Sequence, residues 1–548
     1  MSHTGKHSVI VVGAGPVGLT CAMDLAQRGI SVLVLERRAN GEAPSVKCNH
    51  VSARSMEIFR RLGVAMAVRA AGLPDEYPHD VAYRTSVTGF ELTRIPIPGR
   101  AGRMRREVGP DTDWPTMEPP HRVNQIYLEP ILFAHAASME KVTIVNRVEV
   151  TDATQDDHGV TLQAHNLDTG DVHTYTADYV IGCDGGRSFI RSTIGAKLVG
   201  DAVIQRVQSS YIRAPKLIHM FRYEPAWATF SMNPERCGNV YAIDGKELWL
   251  IHNYLKDDEA DFDAVDRDLS IRRILGVDAS FEYELISKED WFGRRLVADR
   301  FRDRRIFICG DAAHLWVPYA GYGMNAGIAD AANLSWILAA RLNEWAEDGI
   351  LDAYVQERHP ITSQVSYFVM DHAHAMATAR RTVPDGIEEP GDAGDAIRNA
   401  VGKRAYDLNV QQYCCAGLNF GYFYDKSPLI AYDGDKQPAY TMGGFTPSTV
   451  PGCRTPHFVL ANGYDVLGQD YALLRLCADV DVARLLDAAA QRGIPMKLVD
   501  LSGESIPDAY GHALLISRPD QHVAWRGDAV PEDPVALVDM LRGAHGKV

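Results

Sequence analysis

The feature that most constrains this chain is a short glycine pattern at its start. Val9-Ile10-Val11-Val12 is an unbroken apolar run, as expected of a parallel strand buried on both faces. It runs into Gly13-Ala14-Gly15-Pro16-Val17-Gly18, after which Leu19 to Arg28 has helical spacing and Gly29 ends it. Ser31 to Leu35 is a second apolar strand, closed by Glu36. The glycines divide the work between them. Gly13 permits the tight turn, Gly15 lets a pyrophosphate approach the backbone, and Gly18 lets the helix pack on the strand. The free N–H groups of the helix start face the phosphate, and Glu36 is placed to accept from a ribose diol. A strand–turn–helix–strand start of this kind predicts dinucleotide binding.

Two further motifs follow apolar strands. Tyr179 to Cys183 leads into Asp184-Gly185-Gly186-Arg187-Ser188. Arg305 to Cys309 leads into Gly310-Asp311-Ala312-Ala313-His314, followed by Pro318, Gly321, Gly323, Asn325 and Gly327, with a helix from about Asn325 to Leu342. With these three motifs in order, the chain resembles the class A flavoprotein aromatic hydroxylases, the group that includes phenol hydroxylase and para-hydroxybenzoate hydroxylase. The resemblance implies an α/β fold with three parts: a Rossmann-like FAD-binding domain, a β-rich substrate domain and a C-terminal thioredoxin-like domain. It implies FAD as cofactor, with Gly13, Gly15, Pro16, Gly18, Glu36 and Arg37 at its dinucleotide end and Asp311 on the ribityl chain. Asp184 belongs to a motif serving FAD and the nicotinamide cofactor alike. Lys47, Arg54 and Gln125 correspond to family FAD contacts, and Gly310, Pro318, Gly321, Gly323, Met324 and Asn325 surround the flavin ring. The loop Gly321–Asn325 precedes a helix, so its amides can meet negative charge on the pyrimidine edge. Two departures stand out: Val317-Pro318 replaces a common Pro-Pro, and Lys47 replaces a frequent Arg.

The implied reaction uses NADH or NADPH and O₂ to hydroxylate a small phenolic or aromatic substrate through a flavin C4a-hydroperoxide. Only one such glycine motif is present, so the nicotinamide is expected to dock transiently at the FAD domain. Candidate catalytic residues are His50, His252 and Pro318. Asn49 stands where phenol hydroxylase carries an acid, which leaves His50 to assist ionisation of the phenol. The strand Leu248 to Tyr254 puts Leu250, His252 and Tyr254 on one face, and with Asn49 and His50 these form the expected substrate contacts. The alternatives in the same fold are a Baeyer–Villiger oxygenase and a non-catalytic flavin-binding protein.

The expected FAD-binding domain is discontinuous, over residues 1–80, 110–195 and 295–345. Residues 81–109 and 196–294 form the β-rich substrate domain, with a hairpin at Asp244-Gly245. A helical connector spans 346–437, with helix to about Leu408, and the tail spans 438–548. Arg122 to Met139 reads as helix, and Val142 to Val150, Val160 to Ala164 and Val172 to Thr176 as an antiparallel meander. The Gly/Pro/Thr-rich stretch Pro438 to Pro456 reads as a linker. In the tail, Phe458 to Leu460, Met496 to Val499 and Ala513 to Ile516 read as strands and Val482 to Arg492 as a helix. Pro451–His457 and Arg518–Arg526, with Gly421–Tyr424 and Ser427-Pro428, resemble the phenol-hydroxylase subgroup.

Composition bounds the rest. A net charge of −15 with no basic block argues against nucleic acid, and no run approaches the ~20 apolar residues of a membrane span. The nine cysteines are scattered without a CxxC pair, so free thiols in a reducing cytoplasm are expected, with no metal site and no redox role for the tail. A homodimer is expected.

Overall fold

The computed structural model describes residues 5–105, 109–458 and 467–544. It is a mixed α/β structure built on three sheets. In the first, Ile306–Ile308, Val172–Gly182, Lys6–Val12, Val32–Leu35 and Val142–Val145 lie side by side in parallel. Val9, Ile10 and Val11 are fully buried, which is why this strand reads as a continuous apolar run. Register explains why distant motifs meet. Val12 pairs with Gly182, and Gly182 pairs with Ile308. The three loops that follow, at Gly13, Cys183 and Cys309, therefore leave one sheet edge together.

The second sheet is largely antiparallel. In order across it lie His314–Trp316, Glu284–Ala298, Leu198–Arg213, Leu248–Tyr254, Gly238–Ala242, Ala228–Ser231, Val81–Arg84 and Glu91–Ile95. Gly238–Ala242 and Leu248–Tyr254 form the expected hairpin, with Gly245 at φ +72°. The third sheet, in the tail, has the order Met496–Asp500, Tyr471–Arg475, Leu514–Ser517, Val523–Gly527, with helices Ala483–Gln491 and Pro534–Leu541.

Several local readings are corrected. Val172–Gly182 is one strand, not two, because Ala177 and Tyr179 continue the pairing with Lys6–Val12. Val142–Val145 joins the parallel sheet and leaves the meander to Val148–Gln155 and Val160–Asn166. The helix expected from Arg122 starts at Gln125, where the Asn124 side chain caps it by accepting from Ile126 N–H at 3.0 Å. The helix expected from Asn325 begins earlier, at Tyr322. The connector holds three helices, Ile350–Arg381, Asp392–Tyr413 and the short Ala416–Phe420. The strand expected at 458–460 falls mostly outside the described residues.

The stretch 438–456 is not a free linker. Thr449, Val450, Cys453, Arg454 and Thr455 are buried. The tail also shares the first sheet's core: Tyr471 meets Trp336 edge-on at 6.1 Å. Charged groups seal the contact. Arg518, fully buried, donates to Glu357 at 2.6 and 2.8 Å and to Asp520 at 2.7 and 3.0 Å.

Candidate active site

The glycine turn is built as the spacing demands. Gly13 sits at φ +104°, and a Cβ there would come within 2.4 Å of the Cys183 carbonyl oxygen. A Cβ on Gly18 would lie 2.0 Å from the Gly13 carbonyl oxygen. A Cβ on Gly15 would meet no protein atom within 4 Å, so the space over this turn is left for something other than the chain. Gly15 is also the uncapped N-terminus of the helix Pro16–Gln27, whose amides face that space. The Glu36 carboxylate accepts from Ala14 N–H at 2.6 Å and from Arg38 N–H at 2.8 Å, so it braces the turn from within the chain. Arg37 lies outside this cradle, exposed and paired with Glu149 at 3.4 Å.

Asp311 and Asp184 differ sharply. The Asp311 side chain is open at the floor of a cleft and makes no hydrogen bond to another described residue. The surrounding protein still pushes its carboxyl above the usual range, opposed by His314 and Lys47. Asp184 turns inward: it accepts from Ser188 Oγ at 2.5 Å and from Ile190 N–H at 3.0 Å, anchoring the next short helix. Behind Asp311, the buried His314 meets Asp330 at 2.7 Å, and Arg358 donates to the same carboxylate at 2.8 Å. Burial opposes ionisation of Asp330, but Arg358 and His314 hold its carboxyl low.

Beyond Asp311 the chain turns through Pro318 into a left-handed Gly321 (φ +60°), the uncapped start of Tyr322–Leu342. Asn325 works as a staple. It accepts from Ser52 N–H at 2.8 Å and donates to the carbonyls of His50 at 3.1 Å and Gly321 at 2.6 Å. The 47–52 loop is thereby fixed on the glycine loop, and a Cβ on Gly321 would lie 3.1 Å from the His50 ring. Gly323 is similarly close to Trp316, at 3.2 Å from its Nε1. Gly310 (φ +61°) backs onto Val17, and Met324 is buried. Lys47 pairs with Glu289 at 2.8 Å, while Gln125 N–H donates to the Lys47 and Cys48 carbonyls. Asn49 accepts from Asn124 Nδ2 at 2.5 Å.

Arg54 also has partners within the chain. Its guanidinium is buried and donates to Glu57 at 2.9 Å, to the Asp520 carbonyl at 2.7 Å and to Gln521. These contacts tie the tail to this domain.

The antiparallel sheet turns one face toward the His50 loop. Ladder pairs put Tyr83, Phe230, Asn239 and His252 abreast in one row, and Leu250 beside Tyr241 in the next. Tyr254 Oη accepts from Asn239 Nδ2 at 2.8 Å. His252 is partly exposed, whereas His50 is buried; the His252 Nδ1 bonds Ser209 Oγ at 2.7 Å and its ring meets Tyr241 and Trp291 edge-on. Burial lowers its pKa to about 4. His50 is also held neutral, first by burial and then by Arg122, whose Nη1 points at its Nδ1.

Two arginines escaped sequence reasoning as site residues. Arg122 is buried over the Trp227 ring at 4.6 Å, and its Nε and Nη2 have no hydrogen-bond partner among the described residues. Its signal was its place three residues before Gln125. Arg380 arrives from the long helix Ile350–Arg381, stacks on Tyr254 at 4.0 Å and donates to Tyr319 Oη at 3.0 Å. Nothing local in the sequence marks it.

The open cradle over Gly15, the uncapped helix starts and the unpartnered Asp311 carboxylate fit FAD. The comparisons agree. Residues 6–369 match the family model described as FAD binding domain. The chain is 30% identical to the FAD-dependent monooxygenase apdD of Emericella nidulans, over 95% of this chain and 88% of the relative. It is 28% identical to phenol 2-monooxygenase of a Pseudomonas species, over 98% and 92%. The solved structure of the rebeccamycin biosynthetic enzyme RebC with reduced flavin superposes with a TM-score of 0.88 at 31% identity, covering 98% of this chain and 99% of that one. The chain belongs to the class A flavoprotein aromatic hydroxylases. The hydroxylase is thus an FAD-dependent enzyme, and its three motifs converge because their strands are neighbours in one sheet. None of its described helices is long and apolar enough to cross a membrane.

Proposed function

We propose that the hydroxylase inserts one oxygen atom of O₂ into a small phenolic or aromatic substrate, with NADH or NADPH as electron donor. The observation that carries this reading is the aromatic face opposite the Gly321 loop, set beside a buried guanidinium that no carboxylate of the described residues pairs with. FAD would be held by the Gly13–Gly18 turn, Asp311 and the Gly321–Asn325 amides. When bound, it supplies electron transfer from the nicotinamide to O₂ and delivery of one oxygen atom.

The chain's own residues do the rest. Tyr241, Tyr254, Tyr319 and Trp227 offer ring faces and edges to a flat substrate and keep water from it. Arg122 stabilises negative charge on a substrate oxygen, and an ionised phenol is the electron-rich form that an electrophilic oxygen attacks. His50 is too weak a base to drive that ionisation, since its pKa is well below the usual imidazole value. It acts instead as a neutral hydrogen-bond partner between Arg122 and the substrate. His252 orients Ser209 and the aromatic wall.

A panel of phenols and aromatic acids tests the reading, scored by NAD(P)H oxidation and by product mass under labelled O₂. The expected product retains the ring and gains one labelled hydroxyl. A ring-expanded or ester product would favour Baeyer–Villiger chemistry, and no substrate-dependent turnover would remove the proposal.

A further inference from the structure

The cysteines that look scattered in the sequence are not scattered in space. The sulfurs of Cys21, Cys183 and Cys309 all lie within 4.8 Å of one another. Each comes from one of the three nucleotide motifs. Cys21 is on the helix after the glycine turn. Cys183 ends the strand before Asp184, its N–H donating to the Val12 carbonyl at 2.8 Å. Cys309 ends the strand before Gly310, its N–H donating to the Gly182 carbonyl at 3.0 Å. All three are free thiols. Cys21 and Cys309 are buried at 0% and 1% exposure, whereas Cys183 is partly open.

We propose that these three thiols form a binding site for a trivalent metalloid of the arsenite type. Three sulfurs bonded at about 2.3 Å to a pyramidal three-coordinate centre stand about 3.4 Å apart, so the thiols would close in from their present spacing by side-chain rotation. The described residues offer no fourth histidine, cysteine or carboxylate in the cluster. A neighbouring hydroxyl, Tyr354 Oη, is 3.1 Å from Cys309 Sγ but already donates to the Ile308 carbonyl at 2.7 Å. Three-coordination is therefore the natural outcome.

Charge selects the ion. A divalent metal on three thiolates leaves a net negative charge in a buried place. A trivalent centre gives a neutral complex. The chemistry balances without redox: As(OH)₃ and three thiols give As(SR)₃ and three waters. Three As–O bonds break, three As–S bonds form, and each thiol proton leaves with a hydroxyl. Entry is through Cys183, whose carbonyl lies under Gly13, so loading would also disturb the floor of the dinucleotide cradle.

The test uses the full-length holoprotein, incubated with arsenite and desalted. Bound arsenic is measured by elemental analysis, and protected cysteines are mapped by alkylation and peptide mass. One arsenic per chain is expected, with Cys21, Cys183 and Cys309 protected together. Retention should be lost in Cys309→Ser and kept in Cys414→Ser. Wild-type mapping decides the matter even if Cys309→Ser fails to fold. No retained arsenic, protection of the adjacent pair Cys414 and Cys415 instead, or retention of Zn²⁺ but not arsenic in a parallel arm would each overturn the proposal.

Discussion

Asp311→Ala probes the cofactor site where the structure is most specific. In the wild type this carboxylate is open to the cleft and has no hydrogen bond within the described chain, so its hydrogen-bonding capacity is left for a ligand. Removing a hydrogen-bond partner of a charged group costs about 1.5–3 kcal/mol. At about 1.4 kcal/mol per tenfold change, the dissociation constant for FAD should rise about 10- to 150-fold. Folding should be little affected, because no internal partner is orphaned. The pH dependence has a definite sign. The surrounding protein raises the Asp311 carboxyl, so its acceptor form is lost as pH falls through that raised value. FAD affinity should fall with it and level off above it. The assay is a flavin-fluorescence titration of deflavinated protein across pH, with Asp184→Asn alongside. Asp184 is bonded to Ser188 and Ile190, so its substitution should lower thermal stability more than Asp311→Ala does. An unchanged FAD dissociation constant in Asp311→Ala, or equal loss of fold in both variants, would refute this reasoning.

Other outcomes are as definite. Gly15→Ala should fold with wild-type thermal stability but lose flavin, since its Cβ meets no protein atom, whereas Gly18→Ala should lose both, since its Cβ would lie 2.0 Å from a carbonyl oxygen; differential scanning fluorimetry with A450 separates them. Arg518→Met should cost about 3–5 kcal/mol by leaving Glu357 and Asp520 buried without their cation, read as a lower denaturation midpoint. Burial opposes ionisation of Asp520, but Arg518 and His522 hold its carboxyl well below the usual value. The wild type therefore carries that stabilisation above about pH 4 and loses it as pH falls further, and the variant should lack this acid-side loss. Arg122→Met should lower the rate for phenols and raise their KM while leaving FAD content unchanged, measured by steady-state oxygen uptake. His252→Gln should leave the pH–rate profile above pH 5 unmoved, because that imidazole is already neutral there.

What the sequence alone determined is local or periodic. A glycine spacing that only one turn geometry satisfies located the cradle. Apolar runs located the buried strands, and an Asp-Gly dipeptide located the hairpin. These signals work because sterics and strand burial act over a few residues. The tertiary structure decided everything that depends on which side chains meet across the chain. Arg54 sits in a family-like motif, and it also bonds Glu57 and a tail loop more than 460 residues away, a contact no local signal shows. The 438–456 stretch has a linker's composition, but residues 449–456 are buried and Arg454 pairs with Glu57 of the FAD-binding part. Arg380 reaches Tyr254 and Tyr319 only because a long helix crosses back over the antiparallel sheet. The three cysteines meet only because Val12, Gly182 and Ile308 share a register, and register is a property of the assembled sheet.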